Sequence, residues 1–174
     1  MGRAFLAADR ATDAEVSLRK AADIGAAEAR LELARALQAL GRADDAIVAL
    51  AGIEGPGPET LLLRAEIHAG LGRIDDAVAD CDAAIRATAK GRDLVYRRKG
   101  ELLLRLNRPK EAVGAFDAAI GLNPTDPETW CDSARAWRVL GQEARARKMV
   151  DQALRLDPTS SQALDLRSEG AAPS

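Results

Sequence analysis

Apolar residues recur along this chain with the 3.6-residue period of a helix, and the whole pattern then recurs every 31 to 35 residues. Five segments are alike: RATDAEVSLRKAAD, GRADDAIVALAGIE, GRIDDAVADCDAAI, NRPKEAVGAFDAAI and GQEARARKMVDQAL. Each has an alanine at one position (Ala14, Ala46, Ala77, Ala112, Ala146) and a larger apolar group four residues on (Leu18, Leu50, Cys81, Phe116, Val150). A second small or apolar residue follows three later (Ala21, Ile53, Ala84, Ala119, Ala153). Positions i, i+4 and i+7 share one helix face, so each segment is predicted to be an amphipathic helix. A further helix precedes four of them, in ARLELARALQAL, TLLLRAEIHAGL, LVYRRKGELLLRL and TWCDSARAWRVL. These end at Gly41, Gly72, Asn107 and Gly141, residues suited to a left-handed cap. Pro124 and Pro158 close second helices, since proline cannot continue one. A helix–turn–helix period near 34 cannot bury its apolar face alone, so neighbouring repeats must stack.

The run DPETWCDSARAWRVLGQEARARKMVDQALRLDPTS closely resembles a tetratricopeptide repeat (TPR), through Trp130, Ala134, Trp137, Gly141, Ala146, Ala153 and Pro158. The preceding repeat agrees through Tyr96, Gly100, Ala112, Phe116, Ala119 and Pro124. Leu61, Ala65, Gly72, Ala77 and Ala84 carry another, in which Ala89 replaces the final proline. Ala34, Gly41 and Ala46 carry a fourth, whose second helix is short and closes with GPGP. The resemblance implies an all-α fold, a right-handed α-α superhelix or TPR solenoid, with about four full repeats and partial repeats at both ends. The expected organisation is 1–26, a partial repeat; 27–57, with the shortened helix; 58–92; 93–126; 127–160; 161–169, a partial helix; and 170–174, a loose tail. Both ends read as cut through repeats, either because the chain is a fragment of a longer protein or because partners or other copies cover them.

Composition narrows the chemistry. Aromatic residues are 3% of the 174, so the core must come from Ala, Leu, Ile and Val. One histidine and two cysteines fifty residues apart cannot make a zinc site of the usual spacing, and no cofactor is expected. His68 falls where Leu37, Leu103 and Trp137 sit in neighbouring repeats, so it reads as a packed histidine and not a catalytic base. Cys81 reads as a small buried hydrophobe, and Trp130 and Trp137, two turns apart, as core packing. Asp44–Asp45 and Asp75–Asp76 open second helices, where negative charge suits the helix dipole. GIEGPGPE lacks the lysine of a phosphate loop. An enzyme is not expected. A net charge of −2 gives no field for nucleic acid, and no apolar run reaches membrane-spanning length. The first residues lack the apolar stretch of a signal peptide, which favours a cytoplasmic setting, or a periplasmic one if the chain is a fragment.

What remains is the surface made by stacking. The resemblance implies a concave wall built by the first helix of each repeat. Its partner-binding residues are expected to be Leu31, Arg35, Leu62, Glu66, Arg97, Arg98, Glu101, Leu104, Arg105, Cys131, Arg135 and Arg138. Glu28, Gln38, Glu59, Ala69 and Glu128 fill the remaining exposed positions. The second half gathers five arginines, whose planar forks suit carboxylates, so an acidic peptide or helix is the expected ligand unless Glu101, Glu128 or Asp132 pair with them. The chaperone-tail subclass of the family uses a Lys, Asn, Asn, Lys, Arg set. Here those positions hold Leu31, Arg35, Leu63, Leu94 and Arg98, so that role is rejected. The alternative is a structural or self-assembling scaffold segment of a larger protein, as in an export or assembly machine, associating through exposed repeat ends.

Overall fold

The computed structural model describes residues 27–170, and the helices expected before Ala27 and the tail after Gly170 lie outside them. Nine α-helices and no strand are present among the described residues. They are α1 (Ala27–Ala39), α2 (Ala43–Ala51), α3 (Pro58–Gly70), α4 (Ile74–Ala87), α5 (Arg92–Arg105), α6 (Pro109–Leu122), α7 (Pro127–Val139), α8 (Glu143–Leu156) and α9 (Ser161–Glu169).

Four tight turns of one type join the helices in pairs. Gly41, Gly72, Asn107 and Gly141 adopt φ of 75, 72, 57 and 69°, the left-handed region expected of a cap. Around each, the next residue's N–H reaches back to a carbonyl five residues earlier: Arg42 to Leu37, Arg73 to His68, Arg108 to Leu103 and Gln142 to Trp137, at 2.8–2.9 Å. With the capping N–H bonds to Gln38, Ala69, Leu104 and Arg138, this is the Schellman motif four times over. Asp44–Asp45 and Asp75–Asp76 stand in the first turns of α2 and α4. Where Ala89 replaces proline, α4 ends differently. Thr88 is buried and donates its hydroxyl to the Ala84 carbonyl at 2.7 Å, and Gly91 turns the chain with φ 77°.

The chain divides into two compact units, Met1–Asp80 and Cys81–Ser174. In the first, Leu33, Ala34 and Leu37 of α1 meet Ala46 and Leu50 of α2, with Ile53 and Ile67 closing the cluster. In the second, Cys131 and Ala134 of α7, Ala146, Val150 and Ala153 of α8, and Ala163 and Leu166 of α9 form another cluster, with Trp130, Trp137, Met149 and Leu154 packed against it. Between α5 and α6, fully buried Phe116 lies over Gly100, where a Cβ would come 2.5 Å from the ring. Small residues at repeating positions thus let the helices approach closely enough for larger ones to interdigitate.

Candidate functional site

In the C-terminal unit, α5 and α7 present their arginines beside carboxylates. Arg97 sits among four of them. Its Nη1 lies 2.6 Å from Glu128 Oε2 and 3.5 Å from Asp126 Oδ2, and its Nε lies 3.2 Å from Glu101 Oε1 and 3.0 Å from Asp132 Oδ2. Asp132 is buried, and its other oxygen accepts from Arg135 Nη1 at 3.0 Å and from Gln162 Nε2 of α9 at 3.3 Å. Burial pushes the Asp132 carboxyl above its usual range and the nearby Glu101 charge adds to this, although Arg97 and Arg135 pull the other way. For Arg97, burial opposes the charge, but the hydrogen bond to Glu128 and the charges of Asp132, Glu128 and Glu101 outweigh it and raise its pKa.

The other arginines differ in how firmly they are held. Arg138, 18% exposed, reaches Glu169 Oε2 at 2.9 Å, Glu143 Oε2 at 3.4 Å and the Leu166 carbonyl, tying α7 to the C-terminal turn of α9. Arg147 adds a 2.8 Å bond to the Gly170 carbonyl. By contrast, Arg98 is 63% exposed with one contact, to Glu101 Oε2 at 3.3 Å, and Arg135 is 51% exposed with one, to Asp132. Arg105 is exposed and has no ion pair among the described residues. Leu94, one turn before Arg98 on α5, is an exposed apolar group, and Leu104 is half-buried.

One expected wall residue is not on the surface. Cys131 is fully buried, inside the second core cluster. The cause is α9, whose Ala163 and Leu166 pack over it, while burial first and the Asp132 charge second push its thiol up to about 11. Arg97 and Arg138 are likewise only partly accessible. The expected pairing with Glu101, Glu128 and Asp132 is present; Asp126 and Gln162 join it without having been singled out in the sequence. Only Asp126, in the turn before α7, left a local trace, since its carboxylate accepts from the Glu128 N–H as a helix cap.

In the N-terminal unit, Leu31 and Leu62 are half-buried on α1 and α3, Glu66 is exposed, and Arg35 pairs with Glu59 across those helices and with Glu32 at 3.7 Å. His68 is packed as expected, with Nε2 3.7 Å from Asp80 and Nδ1 3.9 Å from Asp76, but Nδ1 has no hydrogen-bond partner. Asp80 is instead gripped by Arg64 at 2.9 and 2.5 Å, and that hydrogen bond raises the Arg64 pKa against the effect of burial. Among the described residues no group of three or more His, Cys, Asp or Glu is placed to hold a metal ion. No described helix is long and apolar enough to cross a membrane.

Residues 103–169 match a family model described as tetratricopeptide repeat. These residues carry tetratricopeptide repeats. No curated protein matches the sequence. Among solved structures, MamA protein is similar at 17% identity and TM-score 0.71, covering 93% of this chain and 91% of that one. PilF of Pseudomonas aeruginosa is similar at 23% identity and TM-score 0.68, covering 98% and 79%. The Cut9–Hcn1 hetero-tetramer of the APC/C is similar at 14% identity and TM-score 0.58, covering 97% and 41%. These likenesses show the fold class, an all-α TPR solenoid. It is a non-catalytic repeat fold that generally serves protein–protein interaction.

Proposed function

We propose that this TPR chain binds a segment of a partner protein, extended or helical and acidic in character, on the wall formed by α5 and α7. The observation that carries the reading is the exposure there of Arg98, Arg105 and Arg135, beside Leu94 and Leu104. Arg97 and Arg138 act differently in this reading. Their guanidinium groups are committed to carboxylates of the chain, so they hold α5, α7 and α9 in register while the three exposed arginines meet the ligand. Glu101 then lies between Arg97 and Arg98, ready to yield the latter to a stronger carboxylate partner. In the N-terminal unit, Leu31, Leu62, Arg35 and Glu66 offer a second contact surface, more apolar and less basic.

The test is affinity capture from native lysate with mass spectrometry, run beside the triple variant Arg98→Glu, Arg105→Glu, Arg135→Glu. A protein retained by the wild type and lost by the variant, with an acidic segment that binds as a synthetic peptide, is expected. Equal capture by both chains would remove the arginine wall from the reading.

A scaffold role, as a segment of a larger assembly, is the second reading, favoured by the fold this chain shares with a chain of Cut9–Hcn1, which is a hetero-tetramer. Light scattering over a concentration series separates the two, because growth into larger species belongs to the scaffold and a constant monomer mass to the binding module.

A further inference from the structure

Lys110 and Arg145 occupy the first turns of α6 and α8, and neither makes an ion pair among the described residues. The carboxylates of the same first turns are already engaged: Glu111 takes Arg108 at 2.5 and 2.8 Å, and Glu143 takes Arg138 and Arg147. The Arg145 guanidinium lies over the Trp137 ring instead, 4.5 Å from its centroid. Together these residues line a cleft of about 370 Å³, floored by Val113, Leu140 and Trp137 and rimmed by Lys110, Arg145 and the Gln142 amide. Trp137 follows Arg135 by two residues, about 200° around α7, so the cleft is not part of the arginine wall.

An apolar floor under two unneutralised cations selects a carboxylate attached close to an apolar group. We propose that this cleft binds an acidic and an apolar side chain, two residues apart, of an extended partner segment. Residues i and i+2 of an extended chain point the same way. One then packs on Val113, Leu140 and the indole, while the other sets its carboxylate between Lys110 and Arg145. A segment fits better than a free small acid because the cleft opens widely to solvent, whereas small-ligand sites usually enclose most of their ligand. The proposal rests on the reading of the chain as a protein-binding module, but not on the α5–α7 wall.

The probe is acetyl-Phe-Ala-Glu-amide, followed by NMR at the two indole N–H signals of the isotope-labelled chain, with Trp130→Phe assigning them. A saturable shift of the Trp137 signal is expected, with a dissociation constant on the order of 1 mM. The Gln analogue of the peptide should bind about tenfold more weakly, because it loses both charge-assisted contacts. Lys110→Glu with Arg145→Glu should abolish the shift while leaving the melting curve close to that of the wild type. The triple variant at Arg98, Arg105 and Arg135 should keep it, so failure of the wall and failure of the cleft are told apart. No saturable shift, equal binding of the Gln peptide, or tighter binding of free hydrocinnamate than of the peptide would overturn the proposal.

Discussion

At the residue scale, Gly100 shows how a repeat position is fixed by its neighbour. Alanine there would add about 1 kcal/mol of intrinsic helix stability. Its Cβ, however, would stand 2.5 Å from Phe116 Cε1, and the ring is fully buried with nowhere to swing. Overpacking of this kind costs about 1–3 kcal/mol, so Gly100→Ala should lower the urea midpoint, and a raised midpoint would show that the ring yields. Asp132 makes a prediction of different sign. Its folded-state pKa is raised, chiefly by burial, so the folded chain holds the proton more tightly than the unfolded one. The stability it contributes is therefore present below the unfolded carboxylate range and lost as pH rises through the folded value. Denaturation at a series of pH values should show the wild type gaining on Asp132→Asn as pH falls from neutral into that range. The opposite slope would mean that Arg97 and Arg135 outweigh burial.

At the scale of elements, the helix pairs were legible because their signals are local. Period, spacing and the left-handed cap residues all lie within one repeat, and four Schellman turns formed where Gly41, Gly72, Asn107 and Gly141 stood. The burial of Cys131 was not legible, since it depends on α9, thirty residues further on. That helix is only nine residues long, too short to persist alone. Its docking depends on Ala163, Leu166 and the grip of Arg138 on Glu169 and the Leu166 carbonyl. Arg138→Glu replaces that grip with repulsion and sets a negative charge at the helix C-terminus, which the dipole disfavours. The variant should admit thiol reagents to Cys131 at least tenfold faster than the wild type, while the other buried cysteine, Cys81, keeps its wild-type rate. Mass spectrometry of labelled peptides reads both rates at once, and unchanged labelling of Cys131 would show that apolar packing alone holds α9.

Across the whole molecule, a net charge of −2 conceals a basic wall largely answered by its own carboxylates. The arginines were singled out through the concave wall that the resemblance to tetratricopeptide repeats implies for first helices. Glu101, Glu128 and Asp132 stood out there as carboxylates able to pair with them. That Arg97 gathers all three together with Asp126 was not legible, because Asp126, Glu128 and Asp132 lie about thirty residues away and meet it only when α7 packs beside α5. Pairing changes what the wall can do. In the proposed reading three exposed guanidinium groups steer an acidic ligand, yet each would pair with it in solvent, where an ion pair is worth about 1 kcal/mol or less. Their effect should therefore appear in association more than in dissociation. Once a ligand is in hand, raising the salt from about 0.05 to 0.5 M shortens the Debye length severalfold and should slow its association several-fold, with dissociation nearly constant. The Arg98→Glu, Arg105→Glu, Arg135→Glu variant should start slow and lose the salt dependence. Stopped-flow measurement of both rate constants checks this. A salt effect confined to dissociation would instead place the charges inside a desolvated contact, and would return Arg97 and Arg138 to the ligand.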